Sequence, residues 1–459
     1  MNSTVSAIAT PAGAGGIGIV RLSGPEAIEI TKKVFRASGN RDISEMPGYS
    51  AAFGHIIEAD GSSVDQAICI IYRAPRSYTG EDVIELQCHG GSYLIGKVLR
   101  LTLAAGAEPA GPGEFTKRAF LNGKVDLDQA EAVMNIIGAH GEQAANAAFN
   151  ALEGNLSRAI REKADTLIAA SAHMAAWADY PEEDVEELDF DVLLTQFRGL
   201  VASLEEMRSR FDAGQAVTVG VDTAIVGRPN VGKSTLMNLL LGRNRSIVTS
   251  VAGTTRDVIE ETARIGNVVL RLSDTAGIHE SDDLVESIGI EMAEKKLKHA
   301  SLVLAVFDVN EPLEGSDIAI LEACREKHSV AIVNKTDLAE GEAVEAFLEQ
   351  VKPYVSRAVA ISAKETDCYE AVKEVLEDLL GTADFDPSAA MLANERQLAC
   401  CNSAISCIKE AIEAIEMGMT MDAVNVCVDS ALEQLFALTG EKVSDTVIDE
   451  VFARFCVGK

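Results

Sequence analysis

No stretch of this chain stays apolar for the roughly 18 residues that a membrane-spanning helix requires, and the most strand-like run, 302–307, holds six. A bilayer span is therefore not expected, although 47% of the residues are apolar. Pro11 and a run of glycines break up the first twenty residues, which also lack a basic start, so no secretory leader is expected and the chain should remain in the cytoplasm. The nine cysteines are odd in number, scattered, and without a C-x-x-C pair. That pattern argues against a disulfide framework and a zinc site and leaves reduced thiols as the expectation. Basic residues are scarce too: 40 Lys and Arg stand against 71 Asp and Glu, a formal net charge of −31. Binding to phosphate backbones relies on Lys and Arg, so an autonomous RNA binder is disfavoured. An RNA-directed role needs a local basic face or a more basic partner. Short basic pieces such as Lys295, Lys296 and Lys298 read as a solvated helix face.

What is present is length and periodicity. A chain of 459 residues is too long for one core and suggests about three domains. Over 1–120, β-rich runs at 18–22, 67–72 and 83–87 alternate with a helical stretch at 93–103, which reads as an α+β domain. The period then changes. Leu127, Ala130, Met134 and Ile137, followed by Ala148, Leu152, Leu156 and Ile160, form a helical stripe in a segment placed at 121–215. Seven acidic residues and a proline within 181–191 read as a solvated turn between helices. From 220 to 382, apolar runs at 224–226, 268–272, 302–307 and 330–333 alternate with helices, the pattern of a parallel sheet in a doubly wound α/β fold. A Gly, Asp and Pro linker at 381–388 precedes helices expected at 390–417 and 422–438, within a last segment 385–459. If those helices rejoin the earlier ones, the α/β unit is an insertion.

Chemistry concentrates in that unit. The loop from Gly227 to Ser234 has the spacing G-x-x-x-x-G-K-S, follows a strand and opens a helix at Thr235. Glycines let backbone N–H groups wrap phosphates, Lys233 reaches the β and γ phosphates, and Ser234 is placed to ligate Mg²⁺. Asp274, Thr275, Ala276 and Gly277 form a D-x-x-G turn that holds the Mg²⁺ shell and senses the γ phosphate. Asn334, Lys335 and Asp337 belong to an N-K-x-D motif, in which the Asp carboxylate accepts both N–H donors of the guanine edge. Ser362, Ala363 and Lys364 complete the base pocket. The order and strand-end placement of these motifs indicate a GTP site. The loop Thr249, Ser250, Val251, Ala252, Gly253, Thr254, Thr255 supplies Thr255 as a candidate Mg²⁺ ligand. Together with Asn230 and Val231 of the phosphate loop, and Gly232 beside them, it completes the nucleotide-contacting set, and both segments offer oxygens to a monovalent cation. The position after the D-x-x-G glycine is Ile278, not the Gln that orients water in many GTPases, so catalysis must recruit another group.

Beyond these motifs, residues 11–24 (PAGAGGIGIVRLSG), 79–91 (TGEDVIELQCHGG), 112–133 and the terminal FCVGK at 455–459 resemble the tRNA modification GTPase family called MnmE or TrmE. The resemblance covers essentially the whole chain. It implies a multidomain α+β and α/β protein with an N-terminal folate-binding-like domain, a helical domain and an inserted P-loop G domain. It further implies a homodimer formed through the N-terminal domain. Its folate would be 5,10-methylenetetrahydrofolate or a relative, for which 5-formyltetrahydrofolate is an analogue, held by Arg21, Glu85, Lys124 and Lys459. Potassium would replace an arginine finger, with Asn230 and Thr254 as side-chain ligands and Thr249 and Val251 contributing carbonyls. Glu286 corresponds to the catalytic glutamate, acting with Lys233 and Asn230. Cys456 corresponds to a terminal cysteine of possible chemical role. With an FAD-containing MnmG-type partner, in a heterotetramer, the family adds a carboxymethylaminomethyl or aminomethyl group at C5 of the wobble uridine, position 34, of certain tRNAs. Taken as residues alone, Glu286, Arg21, Glu85 and Lys124 read as surface charges and Cys456 as a free thiol. A ribosome-assembly GTPase switch is the rival reading, but such factors append a basic RNA-binding module where this chain is acidic and helical.

Overall fold

The computed structural model describes residues 3–179, 189–242, 261–272, 300–365 and 367–459. Several sequence expectations fall outside the described residues: most of the acidic turn, the loop 249–257, the motif 274–277 with Ile278, Glu286, and the lysines at 295–298.

In chain order the elements begin with β1 (Val5–Ile8), β2 (Gly15–Ser23), α1 (Ala27–Val34), β3 (Phe35–Ala37), β4 (Ser50–Ile57), β5 (Ser63–Tyr72) and β6 (Val83–Gly90). Next come α2 (Ser92–Ala104), β7 (Glu108–Pro109), α3 (Glu114–Leu121), α4 (Leu127–Ile137), α5 (Glu142–Leu152), α6 (Asn155–Asp179), α7 (Phe190–Ser209) and α8 (Phe211–Thr218). An alternating stretch follows: β8 (Val221–Val226), α9 (Lys233–Gly242), β9 (Glu261–Ile265), β10 (Val268–Leu272), β11 (Leu302–Asp308), α10 (Gly315–Cys324), β12 (His328–Asn334), α11 (Gly341–Val351), β13 (Arg357–Ala360) and α12 (Cys368–Leu379). The chain closes with α13 (Glu395–Glu416), α14 (Met421–Thr439) and α15 (Asp445–Ala453). None of the described helices is long and apolar enough to cross a membrane.

The described residues fall into two compact units. One joins the N-terminal residues up to Met134 with Leu435–Lys459. Its sheet has seven strands in the order β3-β4-β5-β6-β2-β1-β7. Strand β5 shows why one face is core: Ala67, Cys69 and Ile71 point inward while Ile68 is exposed, the two-residue alternation of a half-buried strand. Ile30 of α1 and Val98 of α2 close over Val20, Leu22, Ile84 and Leu86. A smaller cluster joins Leu127 and Ala130 of α4 to Ile448 and Phe452 of α15 and to Phe455, and an isolated bridge between Pro112 and Val457 ties the last residues to the segment between β7 and α3.

The other unit runs from Asn135 to Gln434. Helix α7, which precedes the α/β segment, packs on α13, which follows it, through Arg198–Glu416 at 2.6 Å, Lys409–Glu205 at 2.7 Å and Cys401 Sγ to Leu204 O at 3.7 Å. The α/β segment is thus an insertion between paired helices. Its six strands lie in the order β13-β12-β11-β8-β10-β9, all parallel except the β9–β10 hairpin. Every residue of β11 is buried, as expected for a strand covered on both faces.

Two helix expectations shift. The stripe through Ala148 and Ile160 is broken between α5 and α6, where Gly154 adopts φ 79° and ends the first helix in the left-handed conformation. The helix expected from 390 starts at Glu395, because the Asn394 side chain accepts from Gln397 N at 2.9 Å and caps it there. At the end of the acidic segment, Asp189 caps α7 by accepting from Asp191 N and Val192 N.

Candidate nucleotide-binding site

Strand register builds the site. Ala305 pairs with Val226, Asp308 with Asn334, and Val333 with Ala360, so the carboxyl ends of β8, β11, β12 and β13 lie along one sheet edge. In doubly wound sheets that edge is where ligands bind. The loops leaving these strands carry Asn230 to Ser234, Asn334 to Asp337, and Ser362 to Lys364, and the structure brings all three together. Asn334 joins them: its Nδ2 donates to Val231 O at 2.8 Å and its Oδ1 accepts from Ala363 N at 3.0 Å. Thr336 N donates to Ile361 O at 3.3 Å, fixing the turn that exposes Asp337.

The phosphate loop has the local geometry that anion binding needs. Asn230 holds φ 64° and Gly232 φ 105°. A side-chain carbon at Gly232 would collide with Asn334 Nδ2, so the glycine is required by both torsion and space. Lys233 Nζ donates to Gly227 O at 2.9 Å and Arg228 O at 2.5 Å, curling back over the loop from the first turn of α9. Ser234 follows on the same turn, where its hydroxyl suits Mg²⁺. Ser362 Oγ is buried without a hydrogen-bond partner among the described residues, an unfilled polar atom beside the base loop. These donor types fit a nucleotide with Mg²⁺. Thr249, Ser250, Val251, Ala252, Gly253, Thr254, Thr255, Asp274, Thr275, Ala276, Gly277 and Glu286 lie outside the described residues.

Sequence reasoning missed the residues that brace these loops. Arg228 is 15% exposed at its side chain and pairs with Glu311, Glu314 and Asp317 at 3.1, 2.9 and 2.9 Å, tying the phosphate loop to the start of α10. Asp308 pairs with Lys335 at 2.6 Å. Burial by itself would raise the Asp308 pKa, but Lys335 and hydrogen bonds from Asn310 hold the carboxyl below its usual value. A charged residue ending the most apolar strand was the available signal.

In the N-terminal unit, Arg21 and Glu85 face each other across β2 and β6 and form a pair at 2.8 Å with side chains 18% and 12% exposed. Arg21 also stands 5.5 Å from the Phe115 ring and 6.0 Å from Tyr78. The chain end is tied beside it. Gly113 N donates to Cys456 O at 3.2 Å, Phe115 N to Lys459 O at 3.0 Å, and Arg21 Nη1 to Gly458 O at 3.4 Å. Gly458 holds φ 97°, and a side-chain carbon there would collide with Ile8 O. Burial, then the neighbouring Arg21 charge, depresses the Lys459 amine below its ordinary pKa. The structure therefore gathers Arg21, Glu85 and Lys459, with Cys456 exposed nearby. Lys124 is exposed and donates instead to Pro75 O at 3.2 Å, on the loop that leads to Tyr78. That loop is braced by Arg118, 2% exposed, which donates to Ser3 O at 2.9 Å and pairs with Glu81 and Glu114 at 3.0 Å each.

A doubly wound sheet with a phosphate loop and an N-K-x-D turn on one edge defines a P-loop GTPase. The comparisons narrow it. Residues 127–456 match the model described as MnmE helical domain, and residues 4–124 match GTP-binding protein TrmE N-terminus. The chain is 40% identical to the tRNA modification GTPase MnmE of Geobacillus thermodenitrificans over 460 residues, covering 99% of each chain. It is 41% identical to that of Listeria welshimeri over 460 residues, again covering 99% of each. Among solved structures, the FeoB G domain of Methanococcus jannaschii overlaps 35% of this chain and 98% of its own at 22% identity, with a TM-score of 0.26 that adds no weight. The chain belongs to the tRNA modification GTPase MnmE family. It is a GTP hydrolase of tRNA modification, and the ribosome-assembly reading loses its ground.

Proposed function

We propose that the chain hydrolyses GTP to assist an FAD-containing MnmG-type partner in adding a carboxymethylaminomethyl or aminomethyl group at C5 of the wobble uridine of certain tRNAs. The observation that supports this reading most is the convergence of the three nucleotide loops through Asn334. Asp337 would accept from the guanine edge, Lys233 would leave the Gly227 and Arg228 carbonyls for the β and γ phosphates, and the backbone around Gly232 would cradle them. Magnesium, held by Ser234 and Thr255, would neutralise phosphate charge. Potassium, held by Asn230, Thr254 and the carbonyls of Thr249 and Val251, would supply the positive charge that other GTPases take from arginine. Glu286 would position the attacking water indirectly. In the N-terminal unit, Arg21, Glu85 and Lys459 on an aromatic floor suit a folate, whose ring offers donors and acceptors and whose tail is anionic. A bound tetrahydrofolate would supply the one-carbon unit. Lys124 would leave the Pro75 carbonyl to reach it. The same reading makes the protein a cytoplasmic homodimer that joins its partner in a heterotetramer.

Two measurements test this. In cells lacking the chain, mass spectrometry of tRNA nucleosides is expected to find the 5-substituted wobble uridines gone, returning with wild type but not with Glu286→Ala; unchanged nucleosides overturn the wobble-uridine assignment. Steady-state phosphate release is expected to be about 100-fold faster in potassium than in sodium chloride, since one fixed stabiliser of developing charge is worth roughly 100- to 1,000-fold. Equal rates remove potassium from the mechanism.

A further inference from the structure

Asp308 belongs to none of the nucleotide motifs, yet it ends the wholly buried strand β11 at the edge where they meet, and it is 5% exposed. A buried carboxylate must be compensated, and the compensation here is specific. Lys335 Nζ lies 2.6 Å from Oδ2, while Asn310 donates to Oδ1 from its backbone N and from Nδ2, each at 3.0 Å. The same short segment grips the main chain at the end of β12. Val309 N donates to Asn334 O at 3.1 Å, and Asn310 Nδ2 also donates to Lys335 O at 3.3 Å. Lys335 itself holds φ 65°, a left-handed conformation that a lysine keeps only where its surroundings impose it. The turn is therefore held by Asn334 toward the phosphate and Ser362–Lys364 loops, and by Asp308 at the end of β11 and Asn310 just beyond it.

We propose that Asp308 is a positioning residue of the guanine pocket, holding Lys335 in its left-handed turn so that Asp337, two residues on, meets the base in a single orientation. The inference rests on the reading of Asp337 as the guanine reader. An acceptor that must take two N–H donors at once tolerates little rotation. Loosening the turn therefore lets one bond form without the other. Hypoxanthine lacks the exocyclic amine that makes the second bond, so it loses nothing when that bond is lost.

The test uses the full chain and titrates GDP and IDP against Asp308→Asn, which keeps the size of the side chain and removes its charge. The preference for GDP over IDP is expected to fall about five- to tenfold, because discrimination by a paired polar group disappears when the pairing does. The KM for GTP rises while kcat at saturation holds, and Asp308→Asn adds little in a Lys335→Ala background, since both changes break one interaction. A GDP preference equal to wild type, or effects of the two changes that simply add, overturns the proposal. Poor folding alone lowers the active fraction and leaves the preference ratio where it was. Should Asp308→Asn not fold, Asn310→Ala, at an exposed position, is expected to lower the ratio in the same direction, and an unchanged ratio there overturns the proposal equally. Asp337→Asn is titrated in parallel with XDP. If it fails to move preference from GDP to XDP, the guanine reading itself falls and takes this inference with it.

Discussion

Asparagine in place of Asp337 is expected to reverse base preference, with GTP binding weakened by about a thousandfold and XTP becoming the better ligand, because sites built around polar pairs reject partners that leave a group unpaired. The carboxylate offers only acceptors, matched to the two N–H groups of guanine. The carboxamide brings a donor, matched to the C2 carbonyl of xanthine and opposed to the guanine amine. The change is nearly isosteric at an exposed position, and the turn that presents it is fixed by Thr336 N on Ile361 O and by Asn334, so the fold should not suffer. Hydrolysis rates with GTP and XTP across a concentration series check this. Retained GTP preference would mean that another residue reads the base.

Removing Arg118 should have an effect of the same size on the other unit. The guanidinium is 2% exposed and lies between Glu81 and Glu114, while also donating to Ser3 O. Glu81 accepts from Ser23 as well, whose hydroxyl lies 2.7 Å from that of Thr79. Alanine leaves two part-buried carboxylates facing each other with no cation between them, a defect that costs about 3–5 kcal/mol. For a unit of this size that corresponds to a fall of roughly 10 °C in its melting temperature. Calorimetry of the full chain with and without GDP separates the two units, since GDP raises only the transition of the unit that binds it. The GDP-insensitive transition is expected to move with Arg118→Ala. An unmoved transition would show that the three carboxyl and carbonyl groups find water instead.

Much of the nucleotide site was legible because its chemistry depends on residue type at fixed spacing. Gly232, Lys233 and Ser234 are adjacent in sequence, and Asn334, Lys335 and Asp337 fall within four residues, so each group is assembled by one loop. Strand positions were legible for the related reason that β11 and the middle of β12 are buried on both faces and read as apolar runs, as does the shorter stretch 224–226 at the end of β8. Helix limits were less so. The Ala148 to Ile160 stripe keeps its period across the break because Gly154 interrupts the backbone and not the pattern of apolar side chains. Arg21, Glu85 and Lys459 could be joined only through family resemblance. They are 64 and 374 residues apart in succession, and nothing local in any of the three indicates the others.

The sequence by itself determined which ligand class the inserted unit takes, since strand, glycine loop and helix follow one another within a few residues and local geometry suffices. Only the tertiary structure decided which charges brace those loops. Asp308 meets Lys335 because β11 and β12 run parallel in register, and Arg228 meets Glu311, Glu314 and Asp317 because β8 lies beside β11. The C-terminal residues reach Arg21 by the same kind of long-range closure. Such pairings depend on the packing of strands and helices distant in the chain, and sequence spacing carries no trace of them.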